Sequence, residues 1–133
     1  MLKIAPSLLS ADFSILGKEA EDIRLSGAEW LHYDVMDGIF VPNISFGIPV
    51  LSSFRKCTEM FIDAHLMITR PARYVREFCR AGADMVTVHV ESDTPEKITE
   101  ALDIIKAEGK LCGIVLKPNT RAEAALPWLP NLE

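Results

Sequence analysis

Three residues on two short apolar segments can do chemistry together. Trp30-Leu-His-Tyr-Asp-Val-Met-Asp-Gly38 reads as a strand running into a turn, and Met60-Phe-Ile-Asp-Ala-His-Leu-Met67 reads as another strand. Side chains alternate faces along a strand. His32, Asp34 and Met36 therefore share one face, as do Asp63, His65 and Met67. Alternate residues lie ~6.5–7 Å apart along a strand, close enough for side-chain tips to converge on one ion. Imidazoles and a carboxylate inside apolar strands are costly unless paired or bound. Two readings stand. His32 and His65 are half-buried structural histidines with Asp34 held by backbone donors, or all three ligate one divalent ion. Two imidazoles and a carboxylate suit Zn, Fe(II), Mn or Co better than Mg or Ca.

The elements that must position these residues follow a strand–helix rhythm. Ile4–Leu9 is a short first strand, with Ser7 as its polar member. Ser10 or Asp12 caps a first helix, striped by Leu16, Ala20 and Ile23 and stopped by Gly27. The Trp30–Gly38 strand follows, then an apolar-rich loop, Ile39–Gly47, expected to fold over something, and a short helix near Pro49–Phe54. After Met60–Met67, Pro71 opens a helix closed by Gly82. Met85–Val90 is the fourth strand and brings Thr87 and His89 to one face. Thr94-Pro95 opens a helix with Ile98, Ala101, Leu102 and Ile105 inward, ending at Gly109. Leu111–Leu116 is a fifth strand, and Thr120 caps a fifth helix that Pro127 and Pro130 cut short.

An internal echo supports this parse. Gly27-Ala-Glu-Trp-Leu-His-Tyr-Asp-Val35 resembles Gly82-Ala-Asp-Met-Val-Thr-Val-His-Val90, two strand–helix units later. Repeated strand–helix units with near-continuous apolar strands imply α/β architecture, a parallel sheet covered by helices. The leading closed form is the eight-unit TIM (β/α)8 barrel. The open doubly wound sheet comes second, because no glycine-rich phosphate loop follows the first strand. A whole barrel needs ~200–250 residues. Residues 1–133 are therefore expected to form one truncated barrel domain of about five units, with open sheet edges.

Composition narrows the partners. The chain is 49% hydrophobic and 25% charged, as a globular core requires, and its net charge of −5 disfavours nucleic acid and anionic membranes. No membrane-length apolar run or leader is expected. Cys57, Cys79 and Cys112 lack CxxC spacing and suit reduced thiols in a cytoplasmic protein. Among the remaining polar residues, Ser7 is either a backbone-bonded hydroxyl or a substrate donor. His89 reads as a structural histidine or one that backs a ligand, and Asp63 as structural; Lys117 either approaches an anion from the strand-five end or, the favoured reading, is a solvated loop lysine. Met36 and Met67 are core filler or an adaptable apolar wall at the mouth of a site.

Four segments in order carry a resemblance: Ala5-Pro-Ser-Leu-Leu-Ser-Ala-Asp-Phe13, Leu31–Gly38, Phe40-Val-Pro-Asn43 and Asp63-Ala-His-Leu-Met67. Together they resemble the ribulose-phosphate 3-epimerases, along the whole chain. The resemblance implies a TIM barrel that interconverts D-ribulose 5-phosphate and D-xylulose 5-phosphate in the pentose phosphate pathway, through a metal-stabilised cis-enediolate. It implies one divalent cation held by His32, Asp34 and His65, and acid/base work by Asp34. Ser7 and His65 match substrate-contacting positions, and Met36 and Met67 match methionines packed on the sugar. Ile39 departs from the pattern, since relatives often carry a polar residue there. The family's second catalytic Asp, a Gly-rich loop and the phosphate grip are not in this sequence, so the chain alone is expected to be inactive. The complete protein is expected to be a homo-oligomer. Two rivals remain: a hexulose-6-phosphate 3-epimerase, and a non-catalytic half-barrel that binds metal or a partner. A barrel decarboxylase is disfavoured, since that chemistry typically needs a Lys–Asp array and no metal.

Overall fold

In the computed structural model, which describes residues 2–132, four parallel strands form one sheet in sequence order. They are β1 (Trp30–Met36), β2 (Phe61–Met67), β3 (Met85–His89) and β4 (Leu111–Val115). The helices are α1 (Leu16–Leu25), α2 (Ile48–Phe54), α3 (Val75–Ala81) and α4 (Pro95–Ala107). Leu31, Tyr33, Ile62, Ala64, Leu66, Val86 and Val88 are fully buried, as are Leu51, Val75, Ile98, Ala101 and Ile105 from the helices. This is the helix-facing side of a parallel sheet, where every second residue of each strand is apolar.

The other side carries the polar residues in aligned rows. His32 pairs in register with Asp63, Asp34 with His65 and His65 with Thr87. Met36 and Met67 are register partners at the C-terminal ends of their strands. A shared register turns separate residues of three strands into one surface.

Two elements differ from the sequence expectation. The first strand is reduced to one bridge, Ser7 to His32, with the His32 N–H donating to the Pro6 carbonyl at 2.9 Å. Pro6 has no N–H to extend a ladder, and the Ser7 hydroxyl accepts from Leu9 N to cap a 3-10 turn at once. The fifth helix is two 3-10 turns, Ala122–Ala125 and Leu129–Asn131. Thr120 caps neither, because its side chain bonds Glu91 instead. Smaller shifts follow the same logic. Asp12, not Ser10, caps a 3-10 turn (Phe13–Ile15) that leads into α1, and Pro71 opens a separate 3-10 turn before α3.

Gly82 ends α3 at φ +119°, in the left-handed region, and a Cβ there would lie 2.4 Å from Arg55 Cγ. Arg55 also donates to the Thr58 carbonyl and to Asp84 at 3.1 Å, and Asp84 accepts from Ile62 N at 2.9 Å. Gly82→Ala therefore combines a left-handed alanine with displacement of the arginine that braces the entry to β2. The expected cost is about 2–3 kcal/mol, read as a lower urea midpoint with unchanged slope.

Candidate metal centre

Alternation along β1 puts His32 and Asp34 on the inner face, and the β1–β2 register brings His65 beside Asp34. The three tips meet. His32 Nε2 lies 3.1 Å from Asp34 Oδ1, His65 Nδ1 lies 3.2 Å from the same oxygen, and the two nitrogens are 3.3 Å apart. An ion with bonds of about 2.0–2.1 Å keeps adjacent ligands about 2.9–3.4 Å apart. The triangle therefore has the edges of one face of a tetrahedral or octahedral coordination shell. Among the described residues, only this trio of His, Cys, Asp and Glu side chains clusters tightly enough to hold a metal ion.

An outer ring of residues holds the imidazoles. Asp63 Oδ2 is 3.0 Å from His32 Nδ1, and its other oxygen is buried with no hydrogen-bond partner among the described residues. His65 Nε2 is 2.9 Å from His89 Nε2, and His89 Nδ1 is 3.3 Å from Glu91 Oε2. Carboxylates behind ligating histidines fix ring orientation in metal sites. The sequence reading has Asp63 as structural and His89 as structural or backing a ligand, and it does not single out Glu91. The missing signal is register: nothing within β2 says that Asp63 faces His32.

Electrostatics agrees with a clamped cluster. Hydrogen bonds to Asp34 and then to Asp63 push the His32 imidazole up to about 10, against the effect of burial. Burial alone would raise the Asp34 carboxyl. Hydrogen bonds from His32, His65 and Ser7 overcome it and hold Asp34 well below the usual carboxylate range. Burial, with His65 nearby, lowers His89.

Ser7 reaches the site across the bridge and donates to Asp34 Oδ2. The two carboxylate oxygens are thus differentiated: Oδ1 faces the imidazoles and Oδ2 the hydroxyl. Met36 and Met67, both half-buried, stand one alternation beyond Asp34 and His65. The Ile39–Gly47 loop does fold over the strand ends. Phe46 is buried against Tyr33 and Phe13, with ring centres at 4.2 and 4.8 Å. Phe40 lies 5.0 Å from the His89 ring. Lys117 is not a solvated loop lysine: its Nζ sits 3.8 Å over the Phe40 ring and donates to the Phe40 carbonyl at 3.3 Å. Asp37 ties the loop down, accepting from Ile39 N and Phe40 N and, through its other oxygen, from Thr69 N, each at 2.8 Å.

A cavity of about 750 Å³ near the site is not centred on the three ligands. Val35, Phe46, Ile68 and Phe78 line it between the loops and the helix layer, with Met36 and Asp37 also among its lining residues. The four strands do not close around their inner face, and His32 keeps 26% of its side chain exposed there. The chemistry of the donors, rather than enclosure, marks the site.

Comparison with known proteins agrees. The model of the ribulose-phosphate 3-epimerase family matches residues 3–133. Ribulose-phosphate 3-epimerase of Rhodobacter capsulatus is 46% identical over 123 residues, which are 92% of this chain and 53% of the relative. That of Bacillus subtilis is 46% identical over 120 residues, 90% of this chain and 54% of the relative. The chain spans about half the length of the curated relatives it matches. Among solved structures, KGPDC from Streptococcus mutans superposes with TM-score 0.73 at 13% identity, covering 97% of this chain and 61% of that one. The 3-keto-L-gulonate-6-phosphate decarboxylase of Vibrio cholerae gives 0.72 at 17% identity, with 96% and 57% covered. At such identities the likeness speaks for the fold, a part of a TIM barrel, and not for the chemistry.

Proposed function

The chain belongs to the ribulose-phosphate 3-epimerase family, and we propose that its inner face is half of an active centre that epimerises C3 of D-ribulose 5-phosphate to give D-xylulose 5-phosphate. The observation that carries this reading is the triangle of ligand atoms at 3.1, 3.2 and 3.3 Å, which contains the one carboxylate suited to proton transfer. His32, Asp34 and His65 would hold one divalent cation of the Zn, Fe(II), Mn or Co class. Bound there, the cation would act as a Lewis acid toward negative charge developing on the ketose oxygens.

The chain's own residues supply the rest. Asp34 is ionised at neutral pH and takes the C3 proton on one face, with the Ser7 hydroxyl fixing its Oδ2. Ser7 and His65 would contact the sugar hydroxyls. Met36 and Met67 shield the reacting carbon from water and offer no proton of their own. Inversion needs a second acid on the opposite face, and Asp34 cannot reach both. The 133 residues alone are therefore expected to give no net epimerisation. The partner is a small sugar phosphate. The cytoplasm is the expected compartment and a homo-oligomer the expected state of the complete protein. No helix among the described residues is long and apolar enough to cross a membrane.

The test is a chimera joining these residues to the remaining half of the Bacillus subtilis relative. Interconversion of the two pentulose phosphates is expected, with a fall of about 10²–10⁴-fold on Asp34→Asn. A folded, metal-loaded chimera without that activity would overturn the reading.

A further inference from the structure

The cavity of about 750 Å³ between the strand-end loops and the helix layer has apolar walls and one charged edge. Val35, on the side of β1 that faces away from His32 and Asp34, forms the walls with Phe46, Ile68 and Phe78, all buried. Ile39 and Ile44 overhang it from the loop. The polar groups of its lining are already engaged. Ser45 Oγ donates to the Asp34 carbonyl at 2.6 Å and accepts from Met36 N at 3.0 Å. The Asp37 carboxylate is held by the backbone N–H groups of Ile39, Phe40 and Thr69 and by the Thr69 hydroxyl.

The two cations at the edge are not engaged. Arg70 and Arg73 both line the cavity, at either end of the 3-10 turn that the Arg73 N–H closes on the Arg70 carbonyl at 3.2 Å. Neither guanidinium has an ion pair or a side-chain hydrogen bond among the described residues. Arg73 rests only against the Tyr74 ring, 5.6 Å from its centre. The two arginines also border a cleft with Asp93, Lys97 and Glu100, but those carboxylates serve other groups: Glu100 accepts from Lys97, and Asp93 from Thr94 N.

A volume of this size, mostly apolar with a few polar groups that fix orientation, has the usual form of a small-molecule site. Guanidinium forks match the oxygens of a carboxylate or a phosphate. We infer that this cavity binds an amphipathic anion, an apolar chain or ring ended by one carboxylate or phosphate. The apolar body lies between Val35, Ile68 and Phe78, and the head lies between Arg70 and Arg73. A sugar phosphate is unsuited, because its hydroxyls would find no free polar partner on those walls. None of these residues belongs to the ligand triangle, so the site stands apart from the metal and epimerase readings.

The experiment is a titration of the 133-residue chain with decanoate below its micelle concentration, read by calorimetry and by ¹H–¹⁵N amide shifts. One saturable site per chain is expected, with shifts confined to residues 35–48 and 68–78. Decanol, the same chain without the charge, is expected to bind at least about tenfold more weakly, and acetate, the head without the chain, not to bind in the same range. The double variant Arg70→Gln with Arg73→Gln changes two exposed side chains. It is expected to lower decanoate affinity about 10–100-fold and to leave decanol affinity unchanged, which also shows that the cavity still forms. Decyl phosphate separates the two heads: tighter binding than decanoate assigns a phosphate, weaker binding a carboxylate. Decanol binding as tightly as decanoate overturns the proposal, as do a double variant that keeps its decanoate affinity and shifts that scatter over the surface without saturating. So does a dimer, seen by sedimentation, that covers the same amides and excludes decanoate, since a second copy would then be the occupant.

Discussion

The 133-residue chain is expected to hold about one divalent ion per molecule, and Asp34→Asn to lower that affinity by two to three orders of magnitude. A complete structural zinc site is worth about 10–16 kcal/mol over its ligands, or roughly 3–4 kcal/mol for each one lost. Asp34 carries one such share. Its Oδ1 touches both imidazoles, and asparagine would offer them a neutral amide oxygen in place of a charged carboxylate oxygen. Metal-free stability should also fall, by about 3 kcal/mol, because His32 would lose one of the two carboxylates that clamp it. His32→Ala removes a ligand but relieves the clamp, so it should lose the metal at a smaller cost in stability. Metal content by mass spectrometry, with urea midpoints of both metal-free variants, separates the two. Equal metal retention in parent and Asp34→Asn would mean that the triangle does not coordinate.

Much of this site was legible in the sequence because alternation is local. Once residues 30–36 are a strand, His32 and Asp34 must share a face opposite Leu31, Tyr33 and Val35, and the same holds for His65 and Met67 in β2. The helix stops at Gly27 and Gly82 were legible for the same reason. Both glycines take positive φ, and a strand begins three residues after each. Of the outer ring only His89 was legible as a residue that could back a ligand. Asp63 meets His32 because β1 and β2 pair without offset, and Glu91 meets His89 because the β3–α4 connection turns back on the strand end. Register and loop path are not encoded in the periodicity of any one segment.

The two misread elements share a cause. Ile4–Leu9 has a strand's composition, and the stretch after Thr120 has the cap and apolar content of a helix. In each case a hydroxyl diverts the backbone or is itself diverted: Ser7 caps a turn, and Thr120 serves Glu91. Lys117 was misread for a related reason. A lysine after a strand is ordinarily solvated, but here the Ile39–Gly47 loop returns and puts the Phe40 ring beneath it. These departures gather at the mouth of the site. Competing side-chain bonds there hold the loops in place at the expense of regular secondary structure.

Metal binding and metal-free stability are expected to respond to pH with opposite signs. In the metal-free chain His32 stays charged up to about 10, against an ordinary value near 6.5, because Asp34 and Asp63 both bond it. A raised value stabilises the folded state fully below about pH 6.5, and that contribution is lost as pH climbs toward 10. His32 is partly exposed, so screening keeps the slope well below the ideal ~1.4 kcal/mol per pH unit. Asp34 acts at the other end. Its depressed value stabilises above about pH 4 and is lost as the carboxylate protonates in acid. Metal-free stability should thus be greatest between about pH 4 and 6.5. A divalent ion needs the His32 lone pair and must displace its proton, so apparent affinity should rise about tenfold per pH unit, roughly a hundredfold from pH 6.5 to 8.5. Calorimetry in buffers of different ionisation enthalpy should count about one proton released per Zn²⁺ near pH 7, while the zinc-loaded chain holds its stability across the interval in which the metal-free chain loses it, because the rise in affinity offsets that loss. An affinity flat with pH would mean that His32 is already neutral, and that Asp34 and Asp63 do not clamp a cation in the absence of metal.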